Sequence, residues 1–136
     1  VSRRSDQRRA AAFALYEHVV TGKELDDVYE RDASEFTRAL AYAAQDYAGD
    51  LDDLIGRHSR GWAIDRIAPL ERAIMQTALV EMLHPDAIPA DTPIPAEGAI
   101  DEAVETAKMF CGAQAPGFVN GVLAAALREI RETSAS

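Results

Sequence analysis

The chain has 136 residues, 48% hydrophobic and 27% charged, which is close to the globular average and excludes disorder and collagen-like repeats. Its formal charge of −9, from 14 Lys+Arg against 23 Asp+Glu, excludes a general nucleic-acid-coating protein. The single cysteine, Cys111, excludes an internal disulfide or a cysteine-based zinc cluster, and no apolar run approaches the ~20 residues of a membrane span. With no apolar stretch of signal-peptide type at the N-terminus, a soluble cytoplasmic domain is expected.

The periodicity is helical nearly throughout. Ala12, Leu15 and Val19 recur at three- and four-residue spacing in an Ala-rich helix with Ser5 as its capping residue and a stop near Gly22. A short polar helix is expected at about 24–31, followed by a Ser34 cap. Phe36, Leu40, Ala44, Tyr47, Leu51, Ile55 and His58 then trace one face of a long helix. Gly49 interrupts it at a cost of about 1 kcal/mol relative to Ala, which points to a packing reason there. Ser59 to Ala68 reads as a connector with one helical turn, and Pro69 sits where a helix accepts proline, at its first position.

From Leu70 to His84 the pattern is apolar nearly all round, as in the central helix of a bundle. Residues 85–95 carry four prolines and form the only long loop. Ile100, Ala103, Val104, Ala107 and Phe110 mark the next helix, ended by Gly112. Pro116 opens the last one, with Val119, Leu123, Ala126 and Ile130 inward and a disordered tail at Thr133–Ser136. No alternating run suggests a strand. The expectation is an all-α fold of about six helices, in two sub-bundles near 1–58 and 63–132 packed as one domain over 1–136.

Several chemistries are absent from the sequence. His18, His58 and His84 lie far apart at helix ends or exposed positions, so no metal site is indicated. Asp50, Asp52 and Asp53 resemble a calcium loop, but Gly61 stands where its bidentate Glu belongs, and Asp46, Asp50 and Asp53 read as a solvated stripe. No glycine-rich phosphate cradle occurs. Cys111 reads as a small buried hydrophobe. Without a catalytic constellation or a cofactor motif, a binding protein is expected rather than an enzyme.

The charge is unevenly spread. Residues 1–10 hold Arg3, Arg4, Arg8 and Arg9 against Asp6, a net +3, which leaves −12 on the remaining chain. Cations at a helix start oppose its macrodipole by up to about 1 kcal/mol each, so helix support does not explain them. Guanidinium groups match phosphate oxygens bidentately. Arg9 and Tyr16, seven residues apart, fall within ~20° of each other around a helix. Arginine beside an exposed aromatic is how single-stranded RNA is held; a flexible charged terminus is the alternative reading.

These residues together resemble the NusB family of transcription antitermination factors. The clearest match is Ala99–Lys108 (AIDEAVETAK), a short turn, and Phe118–Leu123 (FVNGVL). Trp62, Arg66, Ile67, Leu70–Ile74 (LERAI), Ala78, Leu79 and Glu81 match in the middle, and the arginines leading into Ala14, Leu15 and Tyr16 match at the start. The match runs over about 3–131. It implies a NusB-like helical fold of two three-helix subdomains. It implies binding of boxA RNA together with the small basic ribosomal protein NusE, in a complex with NusA, NusG and RNA polymerase that suppresses termination, chiefly on ribosomal RNA operons. An acidic body suits a basic partner.

By the same resemblance, Arg4 and Arg8 correspond to phosphate contacts, with Arg3 and Arg9 as helpers. Tyr16 would border the RNA, Glu71 would accept from base amino groups, Phe118 would stack on a base, and Asn120 would hydrogen-bond to RNA. Structural alternatives stand beside these: core aromatics for Tyr16 and Phe118, helix capping for Asn120, helix-start stabilisation for Glu71. The sequence departs from the family at Asp6, inside the arginine cluster, in the length of loop 85–95, and at Asp101 where Asn is usual. Two other functions remain open at this point: a helical interaction module without RNA binding, and an accessory domain of a ribosomal RNA methyltransferase. Monomer and homodimer also remain open.

Overall fold

The computed structural model describes residues 3–29, 31–89 and 93–135. Among them there is no strand, and seven α-helices follow one another: α1 (Arg4–Thr21), α2 (Leu25–Val28), α3 (Glu35–Asp46), α4 (Ala48–His58), α5 (Pro69–Leu83), α6 (Ala96–Phe110) and α7 (Ala115–Ala135). Single 3-10 turns at Ile64–Arg66 and Pro85–Ala87 precede and follow α5. No described helix is long and apolar enough to cross a membrane.

Helix α5 is the axis of the molecule. Ala73 through Glu81 are all buried, and α1, α3, α4, α6 and α7 pack around it. Pro69 occupies its first turn, where the missing N–H costs nothing. The most extensive of the other contacts are α6 on α7, α1 on α3 and α4 on α7. Phe36, Leu40, Ala44, Leu51 and Ile55 are buried, as are Val119, Leu123 and Ala126 of α7.

Local signals placed several boundaries correctly. The Ser34 hydroxyl accepts the Thr37 N–H at 3.0 Å and caps α3. Gly22 ends α1 at φ 75°, a left-handed conformation that glycine adopts without a Cβ clash, and its N–H bonds the His18 carbonyl.

Other expectations are corrected. Ser5 is not a cap: α1 starts two residues earlier than such a cap implies, Arg3 is the capping position, and the Ser5 hydroxyl instead donates to Glu102 of α6 at 2.8 Å. Val19 does not face the core. The buried face of α1 ends at Leu15, and Val19 is 60% exposed. The polar helix expected at 24–31 is one turn only, and Glu30 lies outside the described residues.

The long helix through 58 is two helices, divided at Tyr47 (φ −103°, ψ 14°), whose ring stacks on His84 at 3.6 Å and 8°. Gly49 has no packing reason, because a Cβ there would meet nothing within 4 Å. Loop 85–95 begins with a 3-10 turn, and its residues 90–92 lie outside the described residues. The tail is helical to Ala135, and Ser136 lies outside the described residues. Cys111 is half-buried rather than buried; desolvation and the nearby Glu71 carboxylate push its thiol pKa up.

Candidate nucleic-acid interface

The arginines at the start of α1 are held by the protein itself. Arg8 makes a two-pronged pair with Glu81 of α5, Nε to Oε2 at 2.8 Å and a terminal nitrogen to Oε1 at 3.0 Å. The two side chains are only 14% and 7% exposed, so this pair is an interior tie between α1 and α5. Arg4 donates to the Gln7 side chain at 2.6 Å and lies 4.2 Å above the Phe36 ring, with Arg8 at 5.3 Å from the same ring. Arg9 pairs with Asp6 at 2.8 Å, so the acidic residue inside the cluster neutralises one of its members. Arg3 is exposed in extended backbone just before the helix.

Arg9 and Tyr16 do share a surface, as their seven-residue spacing requires. Both line a groove of about 610 Å³ between α1 and residues 28–29 and 32–37, together with Phe13, Val28 and Tyr29. The Arg9 Nε is buried there without a hydrogen-bond partner. Burial first, and then the Asp26 charge, push the Tyr29 phenol up to about 12 against the opposing effect of Arg38, so the groove presents a neutral hydroxyl at any ordinary pH.

Glu71 and Phe118, 47 positions apart in sequence, meet in a second groove of about 620 Å³ at the start of α5 and α7. Trp62 and Arg66 line it with them. Trp62 is 56% exposed, an unusual state for the largest apolar side chain, and supplies a flat ring at the groove edge. Desolvation raises the Glu71 carboxyl pKa above the ordinary value. The sequence reading did not single out Trp62 or Arg66 as contacts. The available signal was an aromatic and a cation four residues apart in a short connector, outside any apolar helical stripe. Asn120 is exposed, lines neither groove, and stands ~200° around α7 from Phe118. It lies inside α7 and caps neither end.

The histidines have separate neighbours. His18 Nε2 lies 3.3 Å from the Gln45 side chain, His58 pairs with Glu129 at 2.9 Å, and His84 stacks on Tyr47. Among the described residues no three His, Cys, Asp or Glu side chains converge to hold a metal ion.

Comparison with known proteins places this geometry in context. The family model described as "NusB family" matches residues 5–128. A transcription antitermination protein NusB of Symbiobacterium thermophilum is 35% identical over 105 residues, which is 77% of this chain and 65% of that protein. The chain thus spans just under two thirds of that relative's length. The solved structure of T. maritima NusB superimposes with a TM-score of 0.77 at 28% identity, covering 94% of this chain and 92% of the other. The fold is also shared with a crystal structure of antitermination factors NusB and NusE in complex with dsRNA, at a TM-score of 0.74 and 23% identity, covering 93% and 96%.

Proposed function

The chain belongs to the NusB family, and from that premise we propose that it is an RNA-binding transcription antitermination factor that binds boxA RNA together with NusE. The observation that carries this reading is the family match across nearly the whole chain. The similar protein of S. thermophilum bears the name of an antitermination protein, and a protein of the same fold has been solved with NusE on RNA. Nothing catalytic is required of such a protein: it binds and presents.

Two features of the surface support the reading physically. Grooves at Tyr16 and at Phe118 each set an arginine beside aromatic rings, the chemistry that takes phosphates and bases of an unpaired strand. The body outside residues 1–10 carries −12, which attracts a basic protein such as NusE and speeds its association. Within this reading Arg9 and Tyr16 form one RNA contact, with Arg3 and Arg4 about 18 Å back from Tyr16 at the start of α1, and Glu71 and Phe118 form another. Arg8 acts through the fold, by tying α1 to α5, and Asn120 lies apart. The sub-bundles near 1–58 and 63–132 would each bring one contact. NusA, NusG and RNA polymerase would complete the assembly on nascent RNA in the cytoplasm.

A gel-shift titration at low salt tests it. The chain with NusE should retain boxA RNA more strongly than either protein alone. No NusE-dependent gain would overturn the proposal.

A further inference from the structure

On the far side of Phe118 lies another groove, of about 730 Å³, between the end of α4 and the outer face of α7. Its rim carries Arg57, Arg60 and Arg128, and it shares Gly117 and Phe118 with the Trp62 groove. We propose that this groove is a third RNA subsite, in which the strand leaving Phe118 lays its phosphates on Arg60 and Arg128. The inference rests on the RNA-binding reading and extends it to residues outside the family motifs quoted above.

Selective pairing of the arginines is the main argument. The chain has twelve arginines and 23 carboxylates, so a partner was available for every one. Arg8, Arg9, Arg57, Arg72 and Arg131 have carboxylate partners. Arg4 and Arg38 rest on aromatic rings. Among the described residues Arg3, Arg31, Arg60, Arg66 and Arg128 have neither. Three of those five border the two grooves that meet at Phe118. They come from the α4–α5 connector and from α7, so no local charge run explains the convergence. On a body of −12, three unpaired cations around one aromatic ring mark a place where negative charge is to be received.

The backbone between α4 and α5 builds the two sides together. The Ser59 hydroxyl is buried, 2.7 Å from the Trp62 carbonyl and 3.2 Å from that of Gly56, and the Trp62 N–H returns to the Ser59 carbonyl at 3.3 Å. This pinned turn sends Arg60 into one groove and Trp62 into the other. Arg60 itself has φ 46°, a left-handed conformation that a non-glycine residue holds at a cost of about 1 kcal/mol.

Along α7 the groove floor is Gly117, Gly121, Ala124 and Ala125, and a Cβ on either glycine would meet nothing within 4 Å. The floor is therefore low enough for a sugar–phosphate chain to lie on. Of the two carboxylates on the rim, Glu129 is already matched by Arg57 and His58, which leaves Glu132 alone opposing the cations. Phe118 and Trp62 favour a polynucleotide over an acidic peptide, because each base has a flat face to stack.

The test compares wild type with the double variant Arg60→Gln/Arg128→Gln, each with NusE, on boxA RNA and on boxA RNA with single-stranded flanks. Both side chains are exposed, so thermal unfolding should be unchanged. On flanked RNA the variant should lose about tenfold in affinity, and its log-affinity against log-salt slope should fall by about 1.4, two phosphates' worth. Trimmed boxA RNA and NusE should bind as before. Wild-type affinity and slope on flanked RNA in the variant would overturn the inference alone. Loss of NusE binding instead would overturn it and assign the groove to protein. Failure of the wild type to bind any RNA would overturn both this inference and its premise.

Discussion

At the start of α1, four arginines fall within the first nine residues, and three of them are held by the protein's own side chains. Around Phe118, Arg60, Arg66 and Arg128 come from separate stretches of chain and have no carboxylate partner among the described residues. The dense cluster thus offers mainly Arg3 as free charge, while the scattered set offers three guanidinium groups. Charge counted along a sequence is not charge available at a surface. Geometry decides which cations are structural and which are free to meet a ligand.

The largest expected effect comes from undoing the structural side of that contrast. Phe36→Ala removes the buried ring beneath Arg4 and Arg8 and should cost about 3–5 kcal/mol in urea unfolding. Arg8→Ala should cost about 3 kcal/mol, because it leaves the Glu81 carboxylate buried without its partner. Any loss of RNA binding in Arg8→Ala should therefore track loss of folded protein. A stable Arg8→Ala variant with selectively weakened RNA binding would break the contrast.

The free arginines should behave in the opposite way. Arg66→Gln should leave stability within about 0.5 kcal/mol of wild type and lower the salt slope of RNA binding by about 0.7. Isothermal unfolding and a salt titration read the two quantities separately.

The smallest effects concern Glu129. Its hydrogen bonds from Arg57 and then His58 hold the carboxyl down to about 2. A carboxyl whose folded pKa lies below the unfolded value of about 4.3 stabilises the fold above that pH and loses its contribution as pH falls toward 2. Unfolding followed across that window should show the loss, and Glu129→Gln should flatten it. The same substitution releases Arg57 into the groove, so RNA affinity should rise about threefold near neutral pH.

Much of the fold was legible because its signals are local. A serine three residues before a threonine N–H, a glycine after the last turn and a proline at a first helical position each act within four residues, and each was placed correctly by pattern. What pattern missed was decided across the molecule. At the break the Tyr47 ring stacks on His84, and the Ser5 hydroxyl goes to Glu102, 97 residues away. Val19 continues the apolar spacing of α1 past its last buried residue, Leu15. The site was legible in the same partial sense. Spacing alone put Arg9 and Tyr16 on one surface, but the 73-residue separation of Arg8 from Glu81 hid its structural role. The meeting of Trp62, Arg66, Glu71 and Phe118 required the packing of α7 on α5.

Arginine-selective labelling with a dicarbonyl reagent, read by mass spectrometry with and without boxA RNA in the presence of NusE, tests the contrast most directly. Without RNA, Arg3, Arg60, Arg66 and Arg128 should label quickly and Arg8 slowly. With flanked RNA, Arg60, Arg66 and Arg128 should become protected. Protection confined to the arginines of α1, with those three as reactive as before, would contradict the account.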